Sequence, residues 1–450
     1  MKKFTFFCAF ILIFFSVVSP VTAFAAYDPG FEVRSESVYI ENVDTGTVVY
    51  EKNADQKMFP ASLTKIMMAI VVLERVKDLD NESTTLKLYI QDMLYGTGAS
   101  LGGIRLGEEV SIRGLLYAAL IQSANEAALM LADYVGDGSI AYFVQMMNQK
   151  ALELGCTGTN FANPNGLHDE NNYTTARDMA IICKYAMQNP TFAEIVSTTT
   201  KDIGPTNVHQ QLVETNTNKM LFSNSEYYYA PIQGIKTGTL PEAGRCFASQ
   251  ATKNGYTYVC VVLGSPQTEA DGSATTPDML NFFETRKLYE WAFENFSVRT
   301  VVERGEELTE VPVRFSFKTD HVTLATDEQC TTLMPADLQV SSVQYIYDLP
   351  ERIDAPVEKG QVVGTLRLIL ADEEIGTVPL IATDSIEASK FLTFLGWFEN
   401  AIHSFWLKFI LIAVILLLTV YIYLFVRINR RKRRRGKYSS YRSGSNRPYV

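Results

Sequence analysis

The sequence predicts an α/β layer fold in which helices flank an antiparallel sheet, followed by a small all-β domain and a C-terminal transmembrane helix. Three observations predict it. Strand-like stretches stand at both ends of residues 33–296 with long helical patterns between them, so the sheet is assembled from the two ends of that segment. After Phe296 the long amphipathic patterns stop and short alternating runs take over. Phe409–Val426 then runs 18 residues without a charge, directly before a cluster of arginines and lysines.

Taken in order, the first element is a targeting segment. Lys2 and Lys3 precede an apolar run from Phe4 to Val18, and Ala23-Phe24-Ala25 places small residues before a cleavage point at Ala26. Residues 1–25 therefore read as a secretory signal peptide, with an uncleaved anchor as the alternative. The fold begins over 33–52, where SVYIENVDTGTVVYEKN (37–53) reads as a hairpin turning at Asp44-Thr45-Gly46. Helical patterns follow over 62–78, 111–135, 139–154 and Thr175–Met187, the last after a turn-rich NPNGLHDENN loop. IQGIKTG, CFASQATKNG and YTYVCVVLG within 230–263 revert to strand character, the last two joined at Asn254-Gly255, and a helix over Asp278–Phe296 closes a domain spanning 26–296. Residues 297–385 carry VPVRFSF, HVTLAT, VQYIYDL, QVVGTLRLIL and EIGTVPLIA, which read as an independent β domain. Residues 386–408 form a helical, membrane-proximal linker. The 409–426 helix rises about 27 Å, roughly a bilayer core. Lys408 can snorkel at one end, and Tyr421 and Tyr423 are interfacial residues at the other. The Arg427–Lys437 run sets the 427–450 tail in the cytoplasm by the positive-inside rule, leaving the body outside on a single-pass anchor in the lipid bilayer.

Composition excludes several classes. The chain has 450 residues and a net charge of −10, but residues 427–450 hold ten basic residues and no acidic one. Residues 26–426 hold 28 basic against 50 acidic residues, a net of −22, which excludes nucleic acid as a partner of the body. Four histidines and six cysteines without a C-x-x-C pair exclude a zinc ribbon. Once Cys8 is removed with the signal, Cys156, Cys183, Cys246, Cys260 and Cys330 remain and read mainly as small buried residues. Cys246 and Cys260 can face one another on adjacent strands, which leaves a bridge open.

Three motifs carry the chemistry. Ser62-Leu63-Thr64-Lys65 puts a hydroxyl and an ammonium one helical turn apart on one face. A serine becomes a nucleophile when a nearby base takes its proton, and a desolvated lysine is such a base. Alone the pair says little, since roughly two arise by chance in a chain of this length, and Ser62 is equally an N-cap. Ser123-Ala124-Asn125 follows 61 residues later, in a loop just before a helical Glu126–Val135. Its hydroxyl and amide can bond a lysine, a leaving amine or a substrate amide, or merely cap the helix. Lys236-Thr237-Gly238 comes 113 residues further on at the end of a strand-like run. Its cation and hydroxyl can hold a carboxylate, Gly238 admits close backbone approach, and the Thr239 N–H can point at an oxyanion. A turn is the alternative there, but the apolar PIQGI run before it favours a strand.

Together these form the S-x-x-K, S-x-N and K-T-G pattern, in order, of serine penicillin-binding proteins and β-lactamases. FPASLTKIMMA, TNFANPNGLHDENNYTTARDMA and GIKTGTLPEAGRCFASQA further resemble the low-molecular-mass D-alanyl-D-alanine carboxypeptidases. The resemblance covers about residues 30–295, and the β domain with a C-terminal membrane attachment is similar to the same family's architecture. It implies a serine β-lactamase/transpeptidase-like catalytic domain. It also implies removal of the terminal D-alanine from peptidoglycan stem pentapeptides through an acyl-enzyme, with β-lactam antibiotics as covalent inhibitors and no metal or organic cofactor. By the same resemblance Ser62 is the nucleophile, Lys65 its base, and Ser123 and Asn125 relay protons and position substrate. Lys236 and Thr237 bind the terminal carboxylate, and the Ser62 and Thr239 N–H groups form the oxyanion hole beside Gly238. Two departures stand out: many relatives carry His where this chain has Asn165, and His where it has Thr239. The Asn163–Tyr173 loop is the expected floor of the site, a surface Ω-loop being the alternative.

Rival readings share the fold. A β-lactamase of the kind with a deacylating loop glutamate is disfavoured, because Asp169 and Glu170 lie beyond a Gly166-Leu167 turn in a different arrangement. A transpeptidase differs only in what accepts the acyl group. A non-catalytic wall sensor would not need both an acylatable serine and its base.

Overall fold

The computed structural model describes residues 27–269, 271–403 and 405–439. The signal segment expected over 1–25 lies outside them, as do residues 440–450 of the expected tail. Contacts divide the chain into two units. One runs to Val301 and takes in Thr331–Gln344 and Leu368–Gly376; the other holds Val302–Cys330, Tyr345–Arg367 and the chain from Thr377 on.

In the first unit, β1 (Ser37–Asn42) and β2 (Val48–Lys52) form the expected hairpin, whose turn needs Gly46 at φ +72°. The helical pattern expected from residue 62 begins later as α1 (Thr64–Arg75), because Ala61–Leu63 is a tight 3-10 turn entered from Pro60. Every residue of α1 from Thr64 to Val72 is buried, so this is a core helix, apolar from Ile66 to Val72. Next come β3 (Ser83–Thr85), α2 (Leu88–Leu94) and β4 (Glu109–Ser111), with β3 and β4 paired. The pattern read as one helix over 111–135 is broken. It comprises α3 (Ile112–Tyr117), a π turn over Ala118–Gln122, Ser123 in the left-handed region at φ +68°, and α4 (Asn125–Val135). Side-chain caps start the following helices: Ser139 for α5 (Ile140–Glu153), Thr175 for α6 (Ala176–Met187), and Asn189 with Pro190 for α7 (Pro190–Ser197). The short pair β5 (Thr200–Asp202) and β6 (Val213–Thr215) precedes β7 (Ile232–Leu240), β8 (Gly244–Lys253), β9 (Tyr256–Ser265) and α8 (Leu280–Asn295).

The main sheet has the order β2-β1-β9-β8-β7 and is antiparallel throughout. The N-terminal hairpin thus docks on the last strand, and β7 is left as an edge. Side chains alternate across the sheet. Tyr39, Val48, Ala248, Val261 and Leu263 join the core made by α1, α3, α4 and α6. Val38, Ile40, Val49, Phe247 and Val262 pack with Phe282, Leu288 and Tyr289 of α8. This alternation closes the question of a bridge. Cys246 belongs to the first core and Cys260 to the second, with Ser249 opposite Cys260 in the register, and both thiols are free.

After β10 (Phe296–Val302), the sheet following the first unit contains β11 (Glu307–Arg314) and β12 (His321–Thr326), while β13 (Cys330–Pro335) pairs with β10. With β14 (Gln344–Asp348), β15 (Ile353–Asp354), β16 (Val362–Leu370) and β17 (Glu373–Ala382) the sheet order is β14-β16-β17-β12-β11-β15. Two helices follow, α9 (Lys390–His403) and α10 (Phe405–Ser439). Within α10, Lys408–Arg430 is long and apolar enough to cross a membrane, with a mean hydropathy of 3.0 and none of it buried against protein.

Candidate active site

The Ala61–Ser62 turn is pinched between two glycines. Ala61 sits at φ +48°, which folds the chain sharply and leaves Ser62 half-buried at the head of α1. A Cβ on Gly238 of β7 would stand 3.0 Å from the Ser62 nitrogen. One on Gly166 would stand 2.0 Å from the Ala61 carbonyl oxygen. Only glycine permits this approach from both sides, so the Ser62 N–H is set against the β7 backbone.

One turn along α1, Lys65 is fully buried. Its Nζ donates to Ser62 Oγ at 3.0 Å, to Asn125 Oδ1 at 3.1 Å, and to the Asn165 carbonyl in a short bond. Three acceptors thus saturate the three ammonium positions, and none of them is charged. Burial pushes the Lys65 amine well below the usual lysine range, the Lys236 charge pushes it further, and Glu126 opposes them. A lysine so placed can hold a neutral amine against a hydroxyl, which is what a base for serine requires.

Asn125 opens α4 and is fixed from outside the helix. Its backbone N–H and its Nδ2 both donate to the Ser100 carbonyl, at 3.0 and 2.8 Å. That leaves Oδ1 for Lys65. Ser123 stands at the left-handed corner just before it, buried, with its hydroxyl in no hydrogen bond among the described residues. The left-handed turn at Ser123 separates it from α4, where a continuous helix would set it and Asn125 well apart around one axis.

Lys236 and Thr237 lie on the edge strand β7. Lys236 is 1% exposed and donates only to the Thr237 carbonyl, at 3.1 Å. Burial lowers it to about 7. No carboxylate pairs with it among the described residues, so the cation is available to an anionic ligand. Thr237 Oγ1 and Thr217 Oγ1 are 2.6 Å apart, and Thr239 is exposed.

The structure therefore brings Ser62, Lys65 and Asn125 into direct contact and sets Gly238 against the same turn. Several neighbours carried no sequence signal as partners. Asn165 and Ser100 act through main-chain carbonyls, for which residue type is silent, and Thr217 sits in a loop with no recognisable motif. The 163–173 loop is tied down on both flanks. Asn163 Oδ1 accepts the Gly166 N–H at 2.6 Å, Asn172 Nδ2 donates to Thr64 Oγ1 at 3.2 Å, and Met58 and Thr174 exchange backbone bonds.

Comparison with known proteins identifies the family. The D-alanyl-D-alanine carboxypeptidase family profile matches residues 22–267, and that of the penicillin-binding protein 5 C-terminal domain matches residues 296–388. The chain is 30% identical over 366 residues to D-alanyl-D-alanine carboxypeptidase DacF of Bacillus subtilis, covering 80% of this chain and 88% of that one. It is 32% identical over 381 residues to DacC of Escherichia coli, covering 82% and 89%. Penicillin-binding protein 5 of Haemophilus influenzae superposes with a TM-score of 0.62 at 26% identity, over 79% of this chain and 98% of that one. A Streptomyces DD-transpeptidase superposes at 0.53 with 31% identity, over 59% and 98%. With a family profile over residues 22–267, a second-domain profile over 296–388 and relatives at 30% and 32% identity across most of its length, the chain belongs to the D-alanyl-D-alanine carboxypeptidase family of penicillin-binding proteins.

Proposed function

We propose that the protein is a serine D-alanyl-D-alanine carboxypeptidase that removes the terminal D-alanine of peptidoglycan stem pentapeptides, and that β-lactams acylate the same serine. One observation carries the reading: a buried lysine without a carboxylate partner has its Nζ 3.0 Å from a serine hydroxyl at the head of a helix. In the reading, Ser62 Oγ attacks the penultimate carbonyl carbon while the neutral Lys65 amine takes its proton. The oxyanion is met by the N–H groups of Ser62 and Thr239, and Gly238 lets the substrate backbone lie along β7. Lys236 and Thr237 take the free carboxylate. Ser123 and Asn125 together relay the proton and position the substrate: the Ser123 hydroxyl passes the proton from Lys65 to the leaving D-alanine nitrogen, while the Asn125 amide holds Lys65 and orients the peptide. Water then attacks the ester on Ser62, releasing the shortened peptide and restoring the serine. No step calls on a metal or an organic cofactor.

The second reading is transfer of the acyl group to an amine, for which the Streptomyces relative is the specific ground, its structure being named a DD-transpeptidase. Product ratios with and without an added D-amino acid separate the two. Membrane anchoring through the apolar C-terminal helix fits the family's place in the cell envelope. We further read that helix as spanning the bilayer once, with residues 427–450 inside, the acidic body and its site outside, and no nucleic acid among the partners of the body.

The test is Ser62→Ala. The variant is expected to fold, to form no covalent adduct with labelled penicillin, and to release no D-alanine. An adduct of the expected mass on that variant would end the assignment.

A further inference from the structure

Behind the Ser123–Asn125 turn two carboxylates are buried together. Glu126, second residue of α4, is 2% exposed, and Glu214, in the middle of β6, is 1% exposed. Glu126 Oε1 accepts the Gly102 N–H at 2.7 Å. Glu214 presses on the same residue: a Cβ on Gly102 would stand 2.7 Å from Glu214 Oε1 and 3.0 Å from the Ala124 Cβ. One backbone position is thus held between two carboxyl groups. Each group also keeps one buried oxygen, Glu126 Oε2 and Glu214 Oε1, without a hydrogen-bond partner.

The surrounding charges do not resolve this. Lys65 on α1 feels Glu126 but spends its three donors on Ser62, Asn125 and Asn165, while Lys236 on β7 is bonded to the Thr237 carbonyl. Lys201, opposite Glu214 in the β5–β6 register, places its ammonium over the Tyr117 ring at 5.0 Å. Arg105 lines the same cleft of about 430 Å³ as Glu126, together with Leu86, Leu94 and Ile104, and forms no ion pair with it. Two neighbouring buried carboxylates without a counter-charge do not both ionise; a single proton between them provides one donor and removes one charge. Burial, then the Glu126 charge, holds the Glu214 carboxyl up at about 7, and burial raises Glu126 as well.

We propose that Glu126 and Glu214 hold one shared proton at neutral pH and act as a positioning clamp that seats residues 96–106 against the Ser123–Asn125 turn. The clamp rests on the acyl-enzyme reading above, because its effect passes through that loop. The Ser100 carbonyl takes both Asn125 donors, and Asn125 in turn holds Lys65. When the proton leaves, two negative charges face each other across Gly102. The loop gives way, Asn125 loses its anchor, and acylation slows on the alkaline side.

Infrared spectroscopy tests the proton and penicillin acylation tests the clamp. In the folded Ser62→Ala protein, a protonated-carboxyl band is expected at about pH 6, fading through about pH 7 and missing in the same protein carrying Glu214→Gln. That arm needs no acylation. With Ser62 intact, acylation by fluorescent penicillin at about pH 9, taken relative to each protein's own rate at about pH 6.5, is expected to be about tenfold higher in Glu214→Gln than in wild type. The amide keeps the donor and cannot lose it, while the titrations of Lys65 and Lys236 are common to both proteins. Absence of a band sensitive to Glu214→Gln would overturn the shared proton. Superimposable pH profiles would overturn the clamp. A wild-type enzyme that formed no adduct at any pH would instead sink the acyl-enzyme reading, and the infrared arm would still decide the proton.

Discussion

Lys65 and Lys236 are two buried amines that the fold leaves without carboxylate partners, and that omission sets their chemistry. In a folded core such a lysine gives up its proton far more readily than in the unfolded chain. For Lys236 the sign follows directly. The native state releases the proton at about 7 and the unfolded state at about 10.5, so the cost of burial is full below about 7 and relieved as pH rises toward 10.5. Replacing Lys236 with Met is therefore expected to raise stability at neutral pH by about 1–3 kcal/mol, an advantage that denaturant titrations should see vanish above about pH 10.5. The same charge is what a substrate carboxylate seeks. Lys236→Ala is expected to depress kcat/KM on peptides ending in free D-alanine at least tenfold more than on the same peptides amidated at the C-terminus; equal losses would make the lysine structural. At this scale Ser62 and Lys65 were readable because their spacing is one helical turn. The carbonyls of Asn165 and Ser100 were not, because every residue owns a carbonyl.

The elements that matter most are the ones that break their own regularity. Within 111–135 the break at Ser123–Asn125 was legible as a loop ahead of a helix from Glu126, but periodicity does not register the π turn before it, because the apolar residues recur on every side. The strands of the main sheet were legible, since alternation and the Asn254-Gly255 turn mark them, and so was the pairing of the chain's two ends. α2 and α7 escaped because they are only 7 and 8 residues long, too short for a period to declare itself. The pinch on the nucleophile turn is a relation between elements, invisible in any one of them. It sets an order of severity for two small substitutions. At Gly166, where φ is +83°, a methyl group would meet the Ala61 oxygen at 2.0 Å, whereas at Gly238 it would meet its nearest neighbours at 3.0 Å. Penicillin acylation is expected to fall about a hundredfold in Gly166→Ala and about tenfold in Gly238→Ala, with circular dichroism unchanged in the latter. The reverse order would mean that the turn is not positioned by these contacts.

For the whole molecule the decisive asymmetry is electrical. Residues 26–426 carry a net charge of −22 and residues 427–450 carry ten basic residues, with the change of sign falling within the apolar helix Lys408–Arg430. Such a helix is compatible with membrane anchoring, and the proposed topology, with the basic tail at the cytoplasmic leaflet, is open to a direct test. Protease added to intact protoplasts is expected to digest the body and spare an epitope placed after Val450; loss of the epitope from unbroken cells would return the helix to the outer surface. The free thiols carry a last consequence for work on the living cell. Cys156, Cys183, Cys246 and Cys260 are buried, and burial raises all four, Cys156 and Cys246 to about 12. In the folded protein they are silent toward alkylating reagents, and any opening of the core unmasks them. Because Cys246 and Cys260 lie on opposite faces of one sheet, the native protein already contains two separate chemical clocks, one timing the exposure of each core without any engineered label.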